Sequence, residues 1–385
     1  MRLKIGILGT RGIPNNYGGF EHIAGYLAKG LVEKGHEVIV YNSHKHPYKE
    51  NNWNSVQIVH CYDAEHVIGI AGQFVYDFNC IMDARKRNYD IILMLGYTSS
   101  SVWGFLYPKR CIVITNMDGL EWQRTKYSKL VRRFLKFAEK LAVKSSDFHV
   151  ADSPVIKEYL DQEYSIKSKY IAYGADLNPD ADENLLDEYG LQKQQYFLLM
   201  ARMEPENNIE MVLDGYCMSN SQIKFIVIGN TGNGFGKYIQ EKYKDEQRIV
   251  FLGAIFNEHK VQCLTSFCSL YFHGHSVGGT NPSLLDAMAA KAPLAAHGNP
   301  FNRSILTENA QFFSNVEDVC KLIQANAYSN ETSILNNYTR IESEFSWEGI
   351  VEQYENYFLE CYQANHEYYP LANEKTILYR RQYSK

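Results

Sequence analysis

SLYFHGHSVGGTNPSLLDAM, Ser269–Met288, reads as one complete βα unit. Its apolar opening, ending at His273–His275, has the pattern of a strand buried on both faces. Gly278, Gly279 and Thr280 then turn the chain into a helix with Pro282 near its first turn. Bare backbone amides and a hydroxyl at a helix start make an anion site, because unpaired N–H groups and the positive end of the helix dipole meet there. Outward from this unit the pattern repeats, with strands at Tyr196–Met203, Lys224–Asn230, Arg248–Ala254 and Ala292–Gly298.

The first half of the chain follows the same rule. Apolar runs at Leu3–Leu8, His36–Asn42, Val56–Tyr62, Tyr89–Tyr97, Arg110–Gly119, Phe148–Pro154 and Lys169–Asp176 alternate with helical stretches such as Phe20–Lys34. LNPDADEN, Leu177–Asn184, is polar and reads as a linker. The expected fold class is α/β, with two Rossmann-like doubly wound domains facing across a cleft. One covers residues 1–175 and the other 176–354, and a C-terminal helix over about 355–385 packs back on the first. Ligands of such sheets bind at the carboxyl ends of the strands, which predicts an active site between the domains.

At 385 residues and 45% apolar, the chain is long enough for two cores. Lys and Arg total 39 against 44 acidic residues, a formal charge of −5, which argues against dedicated nucleic-acid binding. The 29 tyrosines suggest amphipathic surfaces as well as core. None of the eight cysteines forms a Cys-x-x-Cys pair, the usage of reduced thiols in a cytoplasmic protein. MRLKIGILGTRG is not a signal-peptide pattern, and no apolar run reaches the length of a membrane span. A cytoplasmic location is expected.

In GILGTRGIPNNYGGFEHIAGYLAKGL, Gly6, Gly9 and Gly12 do not make Gly-x-Gly-x-x-Gly, and the second strand ends in Tyr41–Asn42 without an acid. Both departures argue against a nicotinamide oxidoreductase. Gly18 and Gly19 stand before a helix instead, a second candidate anion site. ARMEPENN, Ala201–Asn208, puts Arg202 at a strand end, where it can grip a diphosphate; the alternative is a surface pair with Glu204 or Glu206. GNTGNGFG, Gly229–Gly236, suits close approach of a nucleotide and equally suits a flexible connection. His273 and His275 share a strand face, but no further ligand cluster accompanies them; a strand-end histidine touching substrate is the better reading, and no metal is expected. Asp180-x-Asp182 lies in the acidic linker and reads as solvated surface.

Together Thr10–Glu21 (TRGIPNNYGGFE), Asp118–Trp122 (DGLEW), Ala201–Asn208 and His273–Met288 resemble the family-four retaining glycosyltransferases of GT-B fold, over roughly residues 1–360. The resemblance is strongest to the bacterial rhamnosyltransferase subgroup of capsule and O-antigen assembly. It implies rhamnose transfer from dTDP-rhamnose to a polyprenyl-diphosphate-linked saccharide, with no cofactor. Another nucleotide-sugar donor, or a nucleotide-sugar-binding protein without catalysis, shares the same motifs. By resemblance, Arg202 grips the diphosphate and Asn207 stands at the usual position of a lysine. Gly278 replaces the first glutamate of the family's donor turn and Asp286 the second, which holds the nucleotide's ribose; this implies that backbone amides of Gly278–Asn281 take over some side-chain contacts. Asp118 falls where the family contacts the donor sugar, or else caps the following helix. Asp118 and His275 would orient sugar and acceptor.

QRTKYSKLVRRFLKFAEKLAVK, Gln123–Lys144, holds Arg124, Lys126, Lys129, Arg132, Arg133, Lys136, Lys140 and Lys144 against a single acid, Glu139. Leu130, Phe134, Phe137 and Leu141 form one apolar stripe at helical spacing. The stretch reads either as a helix docked on its sheet with a solvated basic face or as a contact to the anionic inner leaflet, peripheral at the plasma membrane.

Overall fold

The structure, a computed structural model, describes residues 1–16, 18–117, 119–177, 181–326 and 330–368. The chain forms two compact units. Unit 1 comprises Met1–Trp122, Lys129–Ala172 and the chain from Trp347; unit 2 comprises Gln123–Ser128 and Tyr173–Ser346.

Unit 1 runs β1 (Lys4–Leu8), α1 (Gly19–Glu33), β2 (Glu37–Ser43), β3 (Asn52–Trp53), β4 (Val56–Cys61), α2 (Glu65–Ile68), α3 (Gly72–Ala84), β5 (Ile91–Leu95), β6 (Ile112–Asn116), α4 (Lys129–Ser145), β7 (Phe148–Ala151), α5 (Pro154–Tyr164) and β8 (Lys169–Tyr170). The sheet order is β3-β4-β2-β1-β5-β6-β7-β8, parallel except where β3 meets β4. Strands such as IILML are buried at every position, which is what a sheet covered on both faces requires. The predicted strand over Phe148–Pro154 stops at Ala151, because Ser153 accepts from the Val155 amide at 3.2 Å and caps α5.

Unit 2 runs β9 (Tyr196–Met200), α6 (Ile209–Ser219), β10 (Lys224–Ile228), α7 (Gly234–Lys242), β11 (Ile249–Gly253), α8 (Glu258–Ser266), β12 (Leu270–His273), α9 (Pro282–Ala289), β13 (Leu294–His297), α10 (Pro300–Leu306), β14 (Gln311–Phe313), α11 (Val316–Ala325) and α12 (Glu331–Glu344). Its parallel sheet is ordered β11-β10-β9-β12-β13-β14. The order reverses between β9 and β12, so the carboxyl ends of these two strands bound the crevice where doubly wound sheets take ligands. Phe197, Phe225, Phe272 and Phe313 meet edge-on or tilted under the sheet and are fully buried. Each contributes about 1.5–3 kcal/mol by burial.

α13 (Trp347–Tyr368) returns to unit 1. The return starts at Trp347, not near 355, because the Trp347 ring stacks on Tyr26 at 4.3 Å just after Phe345 O accepts from Ala175 N in unit 2. Glu355 then bridges Lys34 and His36. Gly30 lets the helices touch: a Cβ there would lie 2.7 Å from Val351 Cγ1. Residues 369–385 of the expected helix lie outside the described residues.

All eight cysteines are free thiols, six of them buried. Among the described residues no helix is long and apolar enough to cross a membrane.

Candidate active site

In unit 2, β9 hands the chain to a tight loop in which Glu204 N donates to Arg202 O at 2.8 Å and Asn207 N to Glu204 O at 3.0 Å. Asn207 is buried, and its Nδ2 donates to Arg202 O at 2.7 Å. Its side chain thus ties the loop to the backbone of Arg202. Asn208 Nδ2 donates to Gly274 O at 2.8 Å, while Ser276 N and Oγ donate to Glu206 O at 3.0 and 2.7 Å. Gly274 is needed for this seam, since a Cβ would lie 2.1 Å from Asn207 O. The exits of β9 and β12 are thus one stitched structure.

Arg202 is exposed at this seam. Its expected alternative partners face other cations: Glu204 Oε1 lies 3.6 Å from Lys126 Nζ, and Glu206 Oε1 lies 3.7 Å from Arg124 Nη1. The approach of Arg124 to Glu206 carries no local sequence signal, because the two are brought together only by folding.

After β12 the chain turns at Gly278, whose φ of +141° favours glycine, and reaches α9. Asn281 is the N-cap: its Oδ1 accepts from Ser283 N at 3.1 Å and Ser283 Oγ at 2.9 Å. The side chain of Asn281 thus serves the helix, and the contacts expected of Gly278–Asn281 toward a donor are those of their backbone amides. Thr280 is buried. The first turn of α9 holds no acid.

The rings of His273 and His275 stack at 4.4 Å. His273 is buried with neither ring nitrogen hydrogen-bonded, and desolvation drives it well below the ordinary imidazole range. His275 is half-buried and is pushed down to about 3, by desolvation first and then by the Arg202 and Arg124 charges. Both rings are neutral at pH 7. Asp286 keeps solvent access, yet desolvation by the surrounding protein pushes its carboxyl up to about 7, with Glu258 and Asp176 adding like-charge repulsion.

The glycine-rich loop at 229–236 is largely a packing device. Gly229 passes against Ala201 O, which a Cβ would approach to 2.2 Å, and Asn233 caps α7 while donating to Met203 O at 2.7 Å.

In unit 1, Gly18 caps α1 without a side-chain bond, and the first turn holds Glu21. Glu21 is buried, accepting from Arg11 N at 2.8 Å and Thr10 Oγ1 at 3.3 Å. A carboxylate of the protein thus already stands at the helix start expected to bind an anion through Gly18 and Gly19. Asp77, unmarked in the sequence, is buried with Ser99 Oγ donating at 2.6 Å, and desolvation pushes its carboxyl up to about 7. Asp118 and Asp180 lie outside the described residues.

The basic stretch departs from both sequence expectations in one respect. α4 buries Leu135, Ala138, Glu139 and Ala142, while the apolar stripe faces outward, with Leu130 74%, Phe134 36% and Phe137 55% exposed. Glu139 is a hub, accepting from Trp122 Nε1 at 3.1 Å, Lys136 Nζ at 3.0 Å, and the Tyr159 and Tyr164 hydroxyls at 2.6 Å each. Lys136 and Arg132, which donates to Trp122 O at 2.6 Å, therefore belong to the interior side of the helix.

Two Rossmann-like units built on parallel sheets match the fold of solved GT-B glycosyltransferases. Residues 182–326 match the family model described as Glycosyl transferases group 1, and residues 2–176 match one described as Domain of unknown function (DUF1972). The match to the glycosyl transferase model thus covers most of unit 2. No curated protein matches the chain in sequence. The fold is similar to sucrose-phosphate synthase from Thermosynechococcus elongatus, with TM-score 0.78 and 16% identity over 94% of this chain and 100% of that one. Anabaena HepE in complex with UDP and glucose gives TM-score 0.72 and 16% identity over 93% and 100%. The α,α-trehalose 6-phosphate synthase of Burkholderia multivorans gives 0.68 and 10% over 95% and 100%. At these identities the likeness is one of fold. Among the described residues, no group of three or more His, Cys, Asp or Glu side chains is placed to hold a metal ion.

Proposed function

We propose that the protein is a retaining glycosyltransferase that moves rhamnose from dTDP-rhamnose onto a polyprenyl-diphosphate-linked saccharide in capsule or O-antigen synthesis. The observation that carries the transferase reading is Arg202, exposed at the strand-order reversal of unit 2 while its neighbouring acids face other cations. As the bond from the anomeric carbon to the diphosphate breaks, negative charge grows on the leaving oxygen. Arg202 and the amides of Gly278–Thr280 stabilise that charge. The acceptor hydroxyl attacks from the same face, and its proton passes to the departing phosphate. Neutral His275 orients sugar or acceptor without adding charge, Asp118 contacts the sugar, and Asp286 accepts from the deoxyribose hydroxyl. No metal or cofactor takes part in this scheme. HepE, solved with UDP-glucose, supports a nucleotide-sugar as donor class.

The test is a panel of nucleotide sugars screened for thermal stabilisation, followed by transfer of labelled sugar to a lipid fraction. Stabilisation by dTDP-rhamnose with label in lipid is expected. Stabilisation by another donor alone removes rhamnose, and stabilisation without transfer removes the enzyme.

The outward face of α4 supports a site of action at the inner face of the plasma membrane. Exposed Leu130, Phe134 and Phe137 are flanked by exposed Lys129, Arg133, Lys140 and Lys144, the make-up of a helix lying in a bilayer interface. Each cation adds about 1 kcal/mol on an anionic surface. The protein should sediment with vesicles containing phosphatidylglycerol, and Phe137→Ser with Leu130→Ser should release it even at low salt. Equal binding by that double variant would remove the apolar contact from the account.

A further inference from the structure

We propose that the turn at Val67–Ala71 is a second membrane-inserting element, which with α4 sets the ligand end of unit 1 against an anionic bilayer. The inference rests on the membrane reading of α4 and extends it to residues outside the basic stretch. His66–Ala71 are exposed without a break, Val67 at 66%, Ile68 at 52% and Ile70 at 75%. Large aliphatic side chains gathered in water at this density mark a place that is covered in use.

The turn is built to present them. Gly69 ends α2 at a φ of +63°, a conformation that favours glycine. Gly72 folds the turn tightly onto the start of α3, since a Cβ there would lie 2.1 Å from Glu65 N. Glu65 in turn accepts from Arg11 Nε and Nη2 at 3.0 and 2.9 Å. A small, fixed knuckle therefore projects its apolar residues from the surface.

The apolar surface runs on from the knuckle to α4. Ala71, the N-cap of α3, already has helical backbone angles, so Ile70 and Phe74 share a helix face. The Phe74 ring meets the Phe134 ring at 5.9 Å, and Phe134 belongs to the outward stripe with Leu130 and Phe137. One turn further along α3, Phe78 packs on Trp103 at 5.1 Å, and Trp103 reaches exposed Phe105 at 6.5 Å. α3 and α4 each follow a parallel strand. Their first turns, and the knuckle with them, therefore stand at the carboxyl ends of the sheet, where ligands of this fold bind.

Charge selects the occupant. Among the described residues from Glu65 to Ser145, every exposed Asp, Glu, Lys or Arg is a Lys or an Arg. A second copy of the chain would bring the same cations face to face across a two-fold interface. A bilayer with anionic headgroups takes both features at once, aliphatic side chains at the acyl boundary and cations at the phosphates. A lipid-linked acceptor in that bilayer then lies beside the ligand end of unit 1.

The experiment is co-sedimentation with phosphatidylcholine vesicles, with and without phosphatidylglycerol. Val67→Ser with Ile70→Ser should lower partitioning onto the anionic vesicles about tenfold, the scale of two aliphatic side chains leaving an apolar boundary. Its melting temperature should match the wild type, as surface substitutions leave the fold intact. Phe256→Ser, which removes an exposed ring of unit 2, should partition like the wild type. Ile70→Trp, bound to anionic vesicles, should show emission beyond that of the wild type that brominated acyl chains quench. Undiminished binding of the double variant, or unquenched emission from bound Ile70→Trp, overturns the proposal and leaves the α4 contact standing. An equal loss in Phe256→Ser overturns it too. A wild-type dimer that the double variant dissociates assigns the face to a second copy. A wild type that ignores anionic vesicles removes the α4 reading, and the knuckle with it.

Discussion

The loop after β1 and the loop after β9 hold the same position in their own units, each following a strand at which the sheet order reverses. Each carries an arginine, and each unit places a glycine-bearing helix start beside the reversal. Their fates differ. Arg11 makes a bidentate pair with Glu65 at 3.0 and 2.9 Å, and Glu21 occupies the start of α1. In unit 2 the loop acids face Arg124 and Lys126, Arg202 is exposed, and the start of α9 holds no acid. Shared topology makes both places possible anion sites. Whether a carboxylate of the protein arrives first decides which one is open.

The sharpest way to break this contrast is Arg202→Ala. The loss should fall on turnover more than on donor binding, at about 2–4 kcal/mol of transition-state stabilisation. As an exposed side chain, Arg202 should leave stability within about 0.5 kcal/mol of wild type. Near wild-type kcat would return Arg202 to the surface and erase the difference between the loops.

Glu21→Ala probes the other side. It strips the Arg11 amide and the Thr10 hydroxyl of their acceptor in a buried place, so the expected cost is about 1–3 kcal/mol of folding stability, read from urea unfolding. If the same variant instead gained affinity for inorganic phosphate with stability unchanged, Glu21 would be a guard over an anion site and not a structural tie.

The strands of both sheets were legible because parallel strands buried on two faces are apolar throughout, as in Ile91–Leu95. β3 and β14 were not, since Asn52–Trp53 and Gln311–Phe313 are too short to show a period. In α4 the stripe was found but its direction was not. Large side chains dominate a periodicity, whereas the buried face is built on Ala138 and Ala142, where α4 packs closely on the turn at 101–106. Gly104 marks that approach, since a Cβ there would lie 2.4 Å from Ser145 Cβ. Arg202, His275 and the turn at Gly278 could be read locally because each ends a strand. Arg124 with Glu206, and Glu139 with its tyrosines, depend on long-range contacts that no spacing announces.

The smallest expected effect belongs to Asp286, and its sign separates a binding residue from an ordinary helix residue. Its carboxyl ordinarily titrates at 3.8 and in the folded protein is pushed up to about 7. The folded state thus holds a proton that the unfolded chain releases. The stability this group contributes is complete below about pH 4 and is lost as pH rises through about 7. Asp286→Asn removes that loss. The variant should melt with the wild type near pH 4 and slightly above it at pH 8, by differential scanning fluorimetry. Donor binding should run the other way. If the ionised carboxylate accepts from the nucleotide's sugar, wild-type affinity for dTDP rises as pH climbs through 7, while the Asn variant stays flat and weaker. Parallel pH profiles for the two proteins would leave Asp286 as a strained carboxyl on α9 with no part in donor recognition.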